Sequence, residues 1–234
     1  MLYGNSPLDN GYHAIQTMGT AEVAKELNIS EKEVVHGIDA ARKKLFIARQ
    51  TRSLPRDDKR LAAWNGLALS ALSRAVRITK AARYRDAAAQ TERYLTQVLW
   101  DGNELLRARS EKNSLGRAGV EDYALVAQGL QDWYEVSGEG TGRETVHTLV
   151  SQAWKRFYDN GWRRSEEQFL QYGNHDALLP DDVLPSASAT LIRLSLVMDD
   201  QALQKQARQA LYLSHEVLQS EPFWYVGYLT VLAP

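Results

Sequence analysis

What most constrains this chain is an order of segments that comes round three times. Each unit is an apolar stretch rich in small residues, a short turn, an amphipathic helix and a long connection. Residues 61–79 predict the first apolar helix, with Gly66, Ala68, Ala71 and Ala75 small enough to admit a close neighbour. Residues 84–100 predict its amphipathic partner. The second pair is predicted at 120–136 and 143–158, the third at 186–198 and 202–219. Leu99-Trp100-Asp101 at the end of the first unit recurs as Phe157-Tyr158-Asp159 at the end of the second. A helix that is apolar nearly all round is a buried one, and an amphipathic helix lies outside it. Helical hairpins repeated in this way stack side by side. The expected fold is therefore all-α, an α/α toroid or solenoid of about four hairpins, with the apolar helices inside.

The repeat also says where chemistry would sit. Short turns follow the inner helices and long connections precede them, at 101–119 and 159–184. All the long connections then fall on one face, and loops of that length are commonly functional. Residues 104–109 within the first connection read as a short strand. A last apolar segment, 223–232, follows Pro222.

The region before the repeat is different. Residues 1–18, with Gly4, Asn5, Pro7, Asn10 and Gly11, read as irregular. Thr20 is placed to cap a short helix at 21–27, and Ser30 with Glu33 forms a capping box for a longer one at 31–50. The two helices resemble a helix-turn-helix. The second one, however, carries Glu31, Glu33 and Asp39 where a phosphate backbone needs cations. With 28 basic and 29 acidic residues and a net charge of −1, no nucleic-acid partner is expected. Cys is absent, so there is no thiol nucleophile and no thiolate metal site. The N-terminus lacks a signal-peptide pattern, and no apolar run of about 18 residues exists to span a membrane. A cytoplasmic chain without a membrane partner is expected. It is read as one toroid-like domain, 1–234, with an N-terminal helical segment at 1–51 and the hairpins at 52–234.

Three polar clusters stand at the predicted starts of the inner helices. The first is Asp57, Asp58, Lys59, Trp64 and Asn65, just after Pro55 breaks the preceding helix. The second is Glu121, Asp122 and Tyr123, with Arg107 and Arg109 upstream. The third is Asp181, Asp182, Pro185, Ser186 and Ser188, with Tyr172, His175 and Asp176 upstream. Paired carboxylates across a cavity suit acid/base chemistry on sugars, and aromatic rings suit stacking on a sugar face. Carboxylates at helix starts have a second, structural use, as caps for free N–H groups. Asp57 and Asp58 are placed to cap the helix that follows them. His36, His147 and His215 fall in outer helices, which leaves His175 as the histidine of a mouth loop. No Gly-rich phosphate loop is present, and neither serine has a base beside it in sequence.

On Arg52, Pro55, Asp57-Asp58-Lys59, Trp64-Asn65-Gly66, Glu121-Asp122-Tyr123-Ala124 and Asp182 with Pro185-Ser186, the chain resembles a known family. It is similar to the C-terminal part of the YyaL-like proteins, whose vertebrate members are called spermatogenesis-associated. These are thioredoxin-domain-containing proteins followed by an (α/α)6 toroid like that of N-acylglucosamine 2-epimerases and six-hairpin glycosidases. The thioredoxin domain with its Cys pair is missing here, so no redox activity is implied. The ring reads as incomplete. Ala187-Ser188-Ala189 also stands where the family has Gly-Asn-Ser.

The resemblance implies a mouth that binds a carbohydrate-like small molecule. Asp58, Asp122 and Asp182 are the expected acid/base groups. Trp64, Tyr123 and Tyr172 would stack on the ligand. Asp57, Lys59, Asn65, Arg107, Glu121, His175 and Ser186 would bind or orient it. No cofactor and no metal are expected. An incomplete ring exposes apolar inner faces, so a homodimer or a missing partner domain is expected as well. The alternative function is a non-catalytic interaction module left from a larger protein.

Overall fold

The computed structural model describes residues 3–8, 11–52, 56–138, 142–166 and 176–232, with side chains described from residue 15. The chain divides into two compact units, Met1–Asp57 and Asp58–Pro234. The internal boundary expected after residue 51 lies a few residues earlier than this division.

The first unit opens with a hairpin rather than with irregular chain. Strand β1 (Tyr3–Leu8) pairs antiparallel with β2 (Gly11–Gln16), Tyr3 opposite Gln16 and Leu8 opposite Gly11. Pro7 argued against a strand, yet a two-stranded ribbon consists only of edges, where proline is tolerated. Helix α1 (Thr20–Leu27) begins one residue earlier than expected, with Gly19 as its N-cap, and Asn28 in the left-handed region ends it. Thr20 instead donates to Glu31 at 2.5 Å. Helix α2 (Glu31–Gln50) starts on the expected capping box: Ser30 Oγ accepts the Glu33 N–H and Glu33 accepts the Ser30 N–H. The Ser30 hydroxyl, which donates to the Glu33 carboxylate at 2.7 Å, and then the Ser30 N–H hold the Glu33 carboxyl below its ordinary range. Among the described residues the unit's buried core is Val23, Ala24 and Val34.

Among the described residues the second unit holds three helical hairpins. Helix α3 (Ala62–Thr79) pairs with α4 (Ala82–Tyr94), α5 (Val120–Ser137) with α6 (Gly142–Phe157), and α7 (Ala187–Val197) with α8 (Gln201–Leu213). The α1–α2 pair of the first unit is a fourth helical hairpin. Helix α4 continues through a π-helical turn, Leu95–Leu99, to the position expected for its end.

Within this unit α3, α5 and α7 form the inner row, with α5 packed between the other two. The α3–α5 contact is the tightest in the unit. A Cβ on Gly66 would lie 2.3 Å from the Leu125 carbonyl oxygen, and one on Gly129 would lie 2.3 Å from that of Gly66. Of the small residues read from the sequence, Gly66 is therefore a contact between backbones, while Ala68 and Ala71 are exposed. Helix α5 is buried on nearly every side, from Val120 through Tyr123, Leu125 and Val126 to Leu130 and Trp133. Each fully buried large apolar side chain of this kind contributes about 1.5–3 kcal/mol.

The expected continuous helix at 202–219 breaks at Ser214. Its hydroxyl bonds to the Ala210 carbonyl at 2.6 Å and to the Ala177 carbonyl at 3.3 Å, and helix α9 (His215–Ser220) sets off from there. A 3-10 turn, Pro222–Tyr228, leads into α10 (Leu229–Leu232), and Tyr228 is fully buried beside α7. Three short strands brace the long connection before α5. They are β3 (Arg60–Leu61), β4 (Leu106–Arg109) and β5 (Ser114–Arg117), antiparallel in that order. The strand expected at 104–109 is thus present, and it is tied to the start of α3. Among the described residues no helix is long and apolar enough to cross a membrane.

Candidate functional site

The helix entrances come first, since the sequence placed its candidates there. Asp58 does not cap α3. Lys59 and the two residues of β3 separate it from the helix, and its Oδ2 accepts the Glu111 N–H at 3.0 Å instead. Asp57, exposed, falls in the first unit, and Lys59 is exposed at the head of the second. The α3 start is served from another helix. Asp122 Oδ1 accepts the Ala63 N–H at 3.1 Å while its Oδ2 accepts the Gly119 N–H at 2.9 Å. One carboxylate therefore caps two inner helices, and both its oxygens are committed. Burial pushes its pKa up, against the pull of the two N–H groups and of Arg107.

The companions of Asp122 are also structural. Tyr123, expected to stack on ligand, is 1 % exposed, edge-on to Trp100 and tilted against Phe157. Its hydroxyl accepts the Leu105 N–H at 3.2 Å. Burial raises its pKa. Asn65 donates to the Leu61 carbonyl at 2.7 Å, which helps close the first turn of α3. Trp64 points outward and is 61 % exposed. Glu121 pairs with Arg164 at 2.6 Å. His147 caps nothing in the mouth and bonds to Asp200 at 2.8 Å.

At the third entrance Ser186 is the N-cap of α7. Its Oγ accepts the Ala189 N–H at 3.2 Å and donates to the Leu179 carbonyl at 2.6 Å. Ser188 accepts the Leu179 N–H and bonds to the Tyr228 hydroxyl. Burial pushes the Tyr228 phenol above its ordinary range. Asp182 is exposed and lines a small recess of about 130 Å³ beside Glu121 and Arg164. Tyr172 and His175 lie outside the described residues.

A second cavity, about 420 Å³, lies between α3, α5, α7 and the C-terminal turn. Of the three expected acid/base carboxylates, none lines it, and of the expected binding residues Ser186 does. Its polar wall comes from the middles of the inner helices: Ser70 and Arg74 on α3, Gln128 and Asp132 on α5, Thr190 and Arg193 on α7. Spacings of three or four residues put each pair on one helix face. Arg193 Nη2 donates to Gln128 Oε1, and Gln128 Nε2 donates to Asp132 Oδ1 at 2.6 Å. The amide thus links a guanidinium on one helix to a carboxylate on the next turn of its own helix. Ser70 Oγ is buried and has no hydrogen-bond partner among the described residues. Buried hydroxyls without partners are uncommon in folded proteins.

Asp181, neighbour of the residue singled out in the sequence, closes the rim. Its Oδ1 accepts the Ser186 N–H at 3.0 Å and its Oδ2 the Gly227 N–H at 2.6 Å. The signal for this wall was present in the sequence as polar pairs inside otherwise apolar helices. Among the described residues there is no group of three or more His, Cys, Asp or Glu side chains arranged to hold a metal.

An inner row of apolar helices, each backed by an amphipathic one and entered from long loops on one face, is the α/α-toroid architecture. Solved toroids share it. The chain is similar in fold to a cellobiose 2-epimerase from Bacillus thermoamylovorans (18% identity, TM-score 0.53, covering 70% of this chain and 46% of that one). A sugar epimerase from a ruminal bacterium (13%, TM-score 0.54, 71% and 46%) and a D-mannose isomerase (15%, TM-score 0.54, 86% and 56%) share the fold as well. In sequence the chain is 27% identical to an uncharacterised protein of Caenorhabditis elegans over 215 residues, 86% of this chain and 30% of that protein. It is 31% identical to human spermatogenesis-associated protein 20 over 134 residues, 53% of this chain and 17% of that protein. The chain spans less than a third of the length of these relatives. No family model matches it.

Proposed function

We propose that the cavity between α3, α5 and α7 binds a carbohydrate-like small molecule and that the protein is sugar-modifying, of the epimerase or isomerase type. The observation that carries this reading is the wall itself: a buried Ser70 hydroxyl without a partner beside the Arg193–Gln128–Asp132 chain. Such a wall offers donors and acceptors at close spacing to a ligand that presents hydroxyls on every side. The sugar epimerases and isomerase that share the fold support the class of ligand.

Epimerisation or isomerisation next to a carbonyl needs a base to take a proton from carbon and a donor to return it. The cavity holds two carboxylates. Both oxygens of Asp181 are tied to backbone N–H groups, while Asp132 is met by the Gln128 amide, a side chain that can turn. Asp132 is therefore the better proton acceptor, with Arg193 positioned to stabilise an oxyanion. Asp122 and Asp58 then act on the frame, and the sugar-facing work moves deeper along the helices.

A sugar panel screened by thermal shift tests the binding. Wild-type protein should be stabilised by at least one member, and Gln128→Leu should lose that response. Incubation with the bound sugar in D2O tests the chemistry. Deuterium should enter the carbon beside the carbonyl with wild type and not with Asp132→Asn. A panel without any stabilising sugar, or a response that survives Gln128→Leu, refutes a carbohydrate site in this cavity.

A second reading, a non-catalytic interaction module, draws on one observation. Trp64 and Ile78, on α3, are 61% and 80% exposed. A wild type that binds a sugar in the cavity and never exchanges deuterium would favour it.

A further inference from the structure

The charges around the cavity are unevenly satisfied. Each carboxylate is met by neutral donors: Asp181 by the N–H groups of Ser186 and Gly227, Asp132 by the Gln128 amide. The guanidiniums are not met in kind. Neither Arg74 nor Arg193 makes an ion pair with any described residue. Arg193, part-buried, makes one side-chain hydrogen bond among the described residues, to the Gln128 carbonyl oxygen. A guanidinium has five N–H donors, so most of its capacity is unspent. A partly desolvated cation without a counter-ion is costly to keep.

Gln128 explains how that state is held. Direct pairing of Arg193 with Asp132 would neutralise both groups. The amide stands between them instead, accepting from the cation and donating to the carboxylate. Both side chains are fixed in place while their charges stay apart. Arg74, two turns along α3 from the Gly66 contact, lines the same cavity from the opposite wall. The cavity therefore has a guanidinium on each flank, Arg74 on α3 and Arg193 on α7, with the acceptor Asp132 on α5 between them.

From this arrangement we propose that the ligand is an anionic carbohydrate, a sugar bearing a carboxylate or a phosphate. Arg193 and Arg74 hold its anionic group, and Asp132 meets its hydroxyls. The proposal rests on the carbohydrate reading above and narrows it. Arg193 is the stronger determinant, because its guanidinium is already oriented by Gln128. Charge-assisted, bidentate contacts to a carboxylate or phosphate suit that fixed geometry.

The test compares D-glucuronate, D-glucose 6-phosphate and D-glucose by calorimetric titration of the full chain. At least one anionic sugar should bind about tenfold or more tightly than glucose, a difference of about 1.4 kcal/mol. The margin should shrink as salt rises. Arg193→Gln should reduce the preference to about twofold or less with an unchanged circular-dichroism spectrum, and Arg193→Lys should restore part of it. Arg74→Gln should weaken the same preference by a smaller factor. Whichever anion wins separates the carboxylate from the phosphate source. Glucose binding as tightly as both anions, or a preference that survives Arg193→Gln, overturns the anionic assignment and leaves the carbohydrate reading standing. Absence of binding by all three sugars at millimolar concentration overturns both.

Discussion

The helix entrances and the cavity wall use the same kinds of side chain to opposite ends. At the entrances, Asp122, Asp58, Ser186 and Asn65 each meet a backbone group: an N–H accepted by the first three, a carbonyl in the case of Asn65. In the wall, Ser70 meets nothing among the described residues, and Gln128, Asp132 and Arg193 meet only one another. Side chains that serve the backbone hold the frame. Side chains whose partners are other side chains, or no partner at all, are available to something else. An acidic residue at a helix start is thus a poor guide to a site, and a polar pair midway along an apolar helix is a better one.

The contrast can be broken, and the sharpest blow falls on the frame. Gly66→Val places carbon atoms where the Leu125 carbonyl already stands, 2.3 Å from the first of them. Loss of about 3 kcal/mol or more is expected, read as a lower denaturant midpoint or as failure to fold. A variant with wild-type stability would mean that α3 and α5 are not in backbone contact.

Asp122→Asn comes next. An amide offers one acceptor in place of two, so either Ala63 or Gly119 loses its partner, at a cost of about 2 kcal/mol. The pH dependence sharpens this. Burial raises the Asp122 pKa above its ordinary 3.8, so the native state holds the proton to higher pH than the unfolded chain does. Its contribution to stability is then greatest below 3.8 and declines as pH rises through the window up to the raised value. The difference between wild-type and Asp122→Asn stability, followed by chemical denaturation across that window, should show this slope.

A wall residue should behave differently. Gln128→Leu is expected to abolish the response to sugar while stability shifts by about 1 kcal/mol or less, since an apolar side chain of similar length takes its place. A large loss of stability there would place Gln128 in the frame and erase the contrast. The smallest effect belongs to Asp58→Asn. The amide oxygen still accepts the Glu111 N–H on a partly exposed loop, so a change within about 0.5 kcal/mol is expected. A larger one would show that β3 is anchored through this charge.

Much of the frame was legible in the chain. Small residues at 66, 68, 71 and 75 announced a close helix neighbour, and the Gly66–Gly129 contact supplies it. Ser30 and Glu33 announced a helix start, and they form one. The hairpin at the N-terminus was missed because its strands are short and one contains proline, so that no alternation of apolar residues marks them. The break at Ser214 was missed for another reason. A serine in a helix interior is unremarkable until its hydroxyl finds a carbonyl far away in sequence, here Ala177.

The site was less legible than the fold. Which acid lines a cavity, Asp181 or Asp182, turns on the direction of one residue in a loop. The partner of Asp122 at Ala63 lies 59 residues earlier, beyond any local pattern. What could have been read is the recurrence of polar pairs, Ser70 with Arg74, Gln128 with Asp132 and Thr190 with Arg193, on helices otherwise fit for a core.

The double cap at Asp122 has a mechanical side. Two helices that set out from one mouth are pinned at their tips to the same side chain, within reach of the two backbones that touch at Gly66 and Gly129. Pinned at the tip and again a turn further in, α3 and α5 cannot hinge against each other. They move as one plate. Any widening of the cavity to admit a ligand must then come from α7 and the C-terminal turn, across the seam that the Arg193–Gln128 bond closes.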